Sequence, residues 1–119
     1  MKKKHLYIET FGCQMNVHDS EQMAVLLRDQ GFESTEDSAK ADCILINTCS
    51  IREKAEQKAM SELGRLMKLK EKKPELIVGF AGCLAQHLGA RVHSRVKNVD
   101  LVFGTHNIHR LPEMIARVQ

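Results

Sequence analysis

A three-layer α/β fold, with a mostly parallel sheet and helices on both of its faces, is the architecture this sequence predicts. The hydrophobic pattern switches repeatedly between a period of 2 and a period of 3.6. Two short runs, Asp42–Thr48 and Glu75–Phe80, are almost continuously apolar, as strands covered on both faces read. Strand-like and helix-like segments alternate, which is the pattern of βαβ units and not of hairpins.

A strand is expected at Lys4–Thr10, followed by a loop containing Gly12. A helix is expected over Ser20–Gln30, with Met23, Leu26 and Leu27 on one face. Asp19 and Gln22 cap it and Gly31 ends it. Phe32–Thr35 reads as a short edge strand and Ser38–Ala41 as a turn or a single helical turn. After the apolar strand Asp42–Thr48, Ser50 and Glu53 form a capping-box signature for a helix over Ile51–Glu71, which Pro74 closes. The strand Glu75–Phe80 leads to a helix at Ala85–Arg95, and Asp100–Phe103 is the last strand. Thr105–Val118 is helical in parts, with Pro112 opening the final segment, because proline fits a helix's first turn. The order is that of a flavodoxin- or Rossmann-like sheet. No repeat, low-complexity stretch or linker interrupts it, so residues 1–119 read as one domain.

Composition narrows the function classes. Hydrophobic residues make up 43% and charged residues 28%, ordinary values for a globular domain that needs no disulfide staples. No apolar run approaches the ~20 residues a membrane helix requires. The start, Met1-Lys2-Lys3-Lys4, leads into a stretch too polar for a signal-peptide core. A cytoplasmic chain with no membrane partner, and a monomer, is the expectation. In a reducing compartment four cysteines point to metal ligands, catalytic groups or buried thiols before disulfides. The net charge of +3 is only mildly basic, and 4% aromatic residues argue against a base-stacking platform.

The topology gives three of the cysteines a common address. In an open parallel sheet every strand-to-helix connection emerges at the carboxyl edge of the strands, where ligands bind. Cys13 follows the first strand, Cys49 the Asp42–Thr48 strand and Cys83 the Glu75–Phe80 strand, each just before a helix. Gly12 and Gly82 precede Cys13 and Cys83 and permit tight turns. A helix amino terminus favours the thiolate, the form that ligates metal. Cys43 differs: flanked by Ile44, Leu45 and Ile46 inside a strand, it reads as a small buried hydrophobe. Residue spacing leaves the metal open. His18, His87 and His106 lie near the same loops, so a structural zinc site is one alternative. A metal-free flavodoxin-like binding module is another, although no Gly-rich phosphate fingerprint is present. Three cysteines also suit an iron–sulfur cubane with one iron left without a protein ligand.

The residues around these cysteines resemble a known family. Gly12-Cys13-Gln14-Met15-Asn16 with Asp19-Ser20-Glu21, then Asn47-Thr48-Cys49-Ser50-Ile51-Arg52-Glu53-Lys54-Ala55, then Gly82-Cys83, Phe103-Gly104 and Leu111-Pro112-Glu113, are similar to the amino-terminal domain of the tRNA methylthiotransferases. The residues after Cys13 and Cys49 resemble the MiaB-type branch in particular. The resemblance implies an auxiliary three-cysteine 4Fe–4S cluster on Cys13, Cys49 and Cys83. It implies an enzyme of the radical S-adenosylmethionine class that adds a methylthio group to carbon 2 of N6-isopentenyladenosine beside the tRNA anticodon. No C-x-x-x-C-x-x-C occurs here, so S-adenosylmethionine and a second 4Fe–4S cluster, like the RNA-binding domain, are expected outside this chain. No catalytic residue is expected within it, nor turnover by this piece alone.

Gln14, Asn16, Asn47 and Ser50 flank the cysteines. They are candidates to hydrogen-bond cluster sulfurs or substrate, with stabilisation of the turns as the other reading. The Ile51–Lys73 region carries Arg52, Lys54, Lys58, Arg65, Lys68, Lys70, Lys72 and Lys73. Because Glu53, Glu56, Glu62 and Glu71 are interleaved, it reads as a solvated face in preference to a contact with tRNA phosphates. Met23, Met60 and Met67 read as core filling.

Overall fold

The computed structural model describes residues 4–11, 14–48 and 53–118, and the side chains of all of these but 14–16 and 53–55. The chain runs β1 (Lys4–Thr10), α1 (Gln14–Arg28), β2 (Phe32–Ser34), a 3-10 turn (Ser38–Lys40), β3 (Cys43–Thr48), α2 (Glu53–Lys72), β4 (Ile77–Gly82), α3 (Cys83–Leu88), α4 (Arg91–Arg95), β5 (Leu101–Phe103), a 3-10 segment (Thr105–Arg110) and α5 (Leu111–Val118). The strands form one sheet in the order β2-β1-β3-β4-β5, and every pairing is parallel. This is the doubly wound order of flavodoxin-like folds.

The sheet divides the core into two layers. Because strand side chains alternate between faces, Cys43 and Leu45 of β3 point to one layer and Ile44 and Ile46 to the other. The first layer packs under α1, the second 3-10 segment and α5 through Met23, Leu27, Ile108, Leu111 and Ile115. The second packs under α2, α3 and α4 through Ala59, Leu63, Leu66, Leu84, Leu88 and Val92. All six residues of β3 and all six of β4 are buried, as the apolar runs predict for Cys43–Thr48 and for Ile77–Phe80. Met23 is fully buried and Met60 and Met67 are partly so, all packed into the core.

Several element boundaries differ from expectation, and three of the differences have a clear cause. Helix α1 begins at Gln14 and not at Ser20, so Asp19 lies inside it and does not cap it. Ser20, expected as the first helical residue, is the seventh, and its hydroxyl bonds to Thr10 and Asn47 across the layer. Strand β4 runs to Gly82, two residues beyond the apolar run, because the small Ala81 and Gly82 stay in register with Asn47 and Thr48. The single helix expected at Ala85–Arg95 is two short ones, broken at Gly89, whose φ is 52°. Helix α2 ends at Lys72, two residues before Pro74, and Pro112 is the second residue of α5, as expected. Ser50, the proposed cap of α2, lies outside the described residues.

Candidate functional site at the carboxyl edge of the sheet

Strands β1, β3 and β4 are immediate neighbours at the centre of the sheet, and they end at the same level. Thr10 is in register with Asn47, Asn47 with Ala81, and Thr48 with Gly82. The ladder continues one residue past β1, where Phe11 N–H donates to Asn47 C=O at 2.8 Å. Neighbouring strands lie about 4.8 Å apart. The last described residues of the three strands, Phe11, Thr48 and Gly82, therefore share one short stretch of rim. In sequence Cys49 is the next residue after Thr48, and Cys13 is two past Phe11.

Cys83 is the first residue of α3 and follows β4 with no intervening loop. It is a free, exposed thiol. Helix α3 spans only six residues, so its dipole is weaker than that of the eleven-residue helix expected there. Gly82 makes the abrupt strand-to-helix junction possible. Its φ is 98°, and a Cβ at this position would overlap the Thr48 carbonyl and lie 2.7 Å from Thr48 N and 2.8 Å from Asn47 Oδ1. Only glycine fits so close to a neighbouring backbone.

Beneath the rim is a layer of neutral hydrogen bonds. Asn47 Nδ2 donates to Ser20 Oγ at 3.0 Å, and Ser20 Oγ lies 2.8 Å from Thr10 Oγ1. On the other face of the sheet Thr48 Oγ1 donates to Ala81 C=O at 2.7 Å and accepts from Leu84 N–H at 3.2 Å, tying β3 to the first turn of α3. Asn47 and Thr48 are fully buried, so these bonds are formed in a low-dielectric setting where an unpaired group is costly. Asn47, a candidate from the sequence, thus lies at the rim and ties the ends of β1, β3 and α1 together. Thr10, Ser20 and Thr48 were not singled out as site residues. The available signal was a hydroxyl residue ending each of two strands predicted to be neighbours.

Cys43 is completely buried in β3 beneath α1. Burial, with smaller contributions from the Asp100 and Asp42 charges, pushes its thiol up to about 12, so it remains protonated at neutral pH. It is a structural thiol, as its sequence setting predicts. Cys13, Cys49 and Ser50 lie outside the described residues; Gln14 and Asn16 are placed in the first turn of α1, without described side chains. Among the described residues no three His, Cys, Asp or Glu side chains group as metal ligands, and His18, His87 and His106 are exposed. No helix among them is long and apolar enough to cross a membrane.

Comparison with known proteins adds the lineage. The chain is 57% identical over its whole length to a tRNA-2-methylthio-N(6)-dimethylallyladenosine synthase of Syntrophus aciditrophicus, of which it covers 26%. It is 58% identical over 113 residues (95% of the chain) to the protein of the same name from Geobacter metallireducens, covering 25% of it. It is 51% identical over 114 residues (94% of the chain) to that of Halalkalibacterium halodurans, covering 21%. The chain thus spans about a quarter of the length of the curated relatives it matches. A profile of the uncharacterized protein family UPF0004 aligns with residues 5–104, across all five strands and the rim they form, and the chain belongs to that family.

Proposed function

We propose that this chain is the auxiliary 4Fe–4S cluster domain of a tRNA methylthiotransferase, with Cys13, Cys49 and Cys83 as the cluster's protein ligands. The observation that carries the reading is the common ending of β1, β3 and β4, the three strands after which those cysteines follow in sequence. The donor set fits the group: Cys83 is an accessible thiol at this rim, and Cys43, the remaining cysteine, is withdrawn into the sheet as a neutral thiol. When bound, a three-thiolate cubane supplies one iron with no protein ligand, an open position of the kind catalytic metal sites keep. The chain's own part is to hold the thiols. Gly82 sets Cys83 against β3, and the Ser20, Asn47 and Thr48 hydrogen bonds fix the strand ends without placing a charge there.

The relatives' shared name supports the rest of the proposal. The substrate is a tRNA carrying N6-isopentenyladenosine, the product is its 2-methylthio derivative, and the setting is the cytoplasm. S-adenosylmethionine and a second 4Fe–4S cluster belong to the larger remainder of such proteins, and the piece described here does not turn over alone.

The test is anaerobic reconstitution of the 119-residue chain with ferrous iron and sulfide. Binding of about four irons and four sulfides per chain is expected, with visible charge-transfer absorption that a colourless d¹⁰ zinc–thiolate site lacks. Cys13→Ala, Cys49→Ala and Cys83→Ala should each impair loading, and Cys43→Ala should not. Full loading of Cys83→Ala, or loss of loading in Cys43→Ala alone, would overturn the assignment.

A further inference from the structure

The charges of α2 alternate in sequence but separate in space. With 3.6 residues per turn, Lys58, Arg65, Lys68 and Lys72 fall within an arc of about 80° on the helix surface. All four are exposed, and Ser61 is the only other residue of 56–72 in that arc. The acidic residues lie off the stripe. Glu62 pairs with Arg65 from one flank, Glu56 pairs with Arg95 of α4, and Glu71 falls on the other flank. On the inward side Lys70 and Lys73 are neutralised by Asp100 and Asp42. Among the described residues Lys58, Lys68 and Lys72 make no ion pair.

This is an unusual way to solubilise a helix. Arg65–Lys68 and Lys68–Lys72 are like-charge neighbours at i,i+3 and i,i+4, an arrangement that costs helix stability where Glu–Lys pairs would add to it. The repulsion is relieved when a polyanion covers the stripe. Lys58 and Lys72 are 14 residues apart, which is roughly 21 Å of helix, enough to follow several phosphates. Exposed Lys97, after α4, lines the same surface hollow as Lys68, together with Glu71 and the Lys70–Asp100 pair. The arc carries no aromatic or amide side chain, so it is suited to a sugar–phosphate backbone and not to base edges.

We propose that the outer face of α2 is an RNA-backbone contact that positions the nucleic acid on the helical layer formed by α2, α3 and α4. The choice of RNA rests on the function proposed above; the stripe itself does not.

The test uses fluorescein-labelled unfractionated tRNA and the 119-residue chain, with binding measured by anisotropy across a salt series. The variant Lys58→Gln/Arg65→Gln/Lys68→Gln/Lys72→Gln should bind at least about tenfold more weakly at low salt and flatten the log K–log salt slope by about 3. The double variant Lys58→Gln/Lys72→Gln, which breaks no ion pair among the described residues, should flatten the slope by about half as much. A charge-matched control, Arg28→Gln/Lys40→Gln/Arg110→Gln/Arg117→Gln, removes exposed bases elsewhere and should leave both affinity and slope nearly unchanged. Iron and sulfide loading of each variant is measured in parallel and should stay at the parent level, so failure of the cluster reading and failure of the RNA contact are seen separately. Equal losses in stripe and control variants would reduce the effect to net charge and overturn the proposal. Competition by polyglutamate as effective, per charge, as that by RNA would also overturn it, by assigning the face to an acidic protein.

Discussion

At the amino edge of the sheet two carboxylates stand where ladder partners run out. Asp42, just before β3, accepts from the His5 N–H of β1 at 2.8 Å, and Asp100, just before β5, accepts from the Val78 N–H of β4 at 2.9 Å. Each is held by a lysine from the carboxyl end of α2 or just beyond it, Lys73 at 2.6 Å for Asp42 and Lys70 for Asp100. At the carboxyl edge the same task falls to Thr10, Ser20, Asn47 and Thr48, all uncharged. Ion pairs pin the edge that only needs to be stable. The edge where the candidate ligands follow uses hydroxyls and an amide, which would neither repel the anionic thiolate cluster proposed there nor compete with its ligands. Catalytic and binding edges of α/β sheets are commonly separated from the stabilising edge in this way.

Glycine substitutions give the largest test of that contrast. Gly82→Ala at the carboxyl edge combines a positive φ with a backbone collision and should cost about 2–3 kcal/mol in urea unfolding, together with reduced iron uptake. Gly31→Ala at the amino edge has a similar φ, 91°, with nothing within 4 Å of the new Cβ. It should cost only about 1 kcal/mol and leave iron uptake intact. Equal costs at the two positions would show that strain, and not the close approach to Thr48, is what glycine serves.

Next in size is Asp100→Ala, which strands Lys70 and leaves the Val78 N–H without its acceptor. A loss of about 1–3 kcal/mol is expected from the same unfolding measurement, again with unchanged iron uptake. Asp100→Asn keeps an acceptor and should lose less.

The smallest effect is the pH dependence at Asp42. Burial raises its carboxyl pKa. The hydrogen bond from Lys73, the His5 N–H bond and the Lys73 charge outweigh burial, and the net shift is below the ordinary value of 3.8. A carboxylate lowered in the folded state contributes stability above its unfolded pKa and loses it as the pH falls through the folded one. Asp42→Asn should therefore lower stability at neutral pH and flatten the part of the acid unfolding limb below about pH 4. If the limb kept its full steepness, the amino-edge ion pair would not be what the acid breaks.

Local signals recovered much of this architecture, and tertiary contacts account for the remainder. The apolar runs at β3 and β4 announced strands buried on both faces, and the alternation of elements announced a parallel sheet. The early start of α1 was hidden because Asp19 looks like a cap with Gln22 three residues on, and only the positions of Thr10 and Asn47 reveal why Ser20 sits well inside that helix. Ala81 and Gly82 looked like the beginning of a loop because the absence of side chains is itself what their place beside Asn47 and Thr48 demands. At the site, the strands preceding Cys13, Cys49 and Cys83 were legible as sharing an edge. The polar layer beneath that edge was not, since its members lie far apart in sequence and only strand register joins them. The charge arrangement on α2 is hard to see for a related reason: reading charges in sequence order conceals the angular sorting that a helix performs.

The all-parallel strand order also sets a sequence in time. Among the described residues no two strands form a hairpin, so each parallel pairing must wait for a crossover to be synthesised and folded back. The central strand β3 gains both its neighbours only once β4 has emerged as far as Gly82. The rim therefore comes into being all at once, and a cofactor of the kind proposed above would meet a complete site only after these strands have paired.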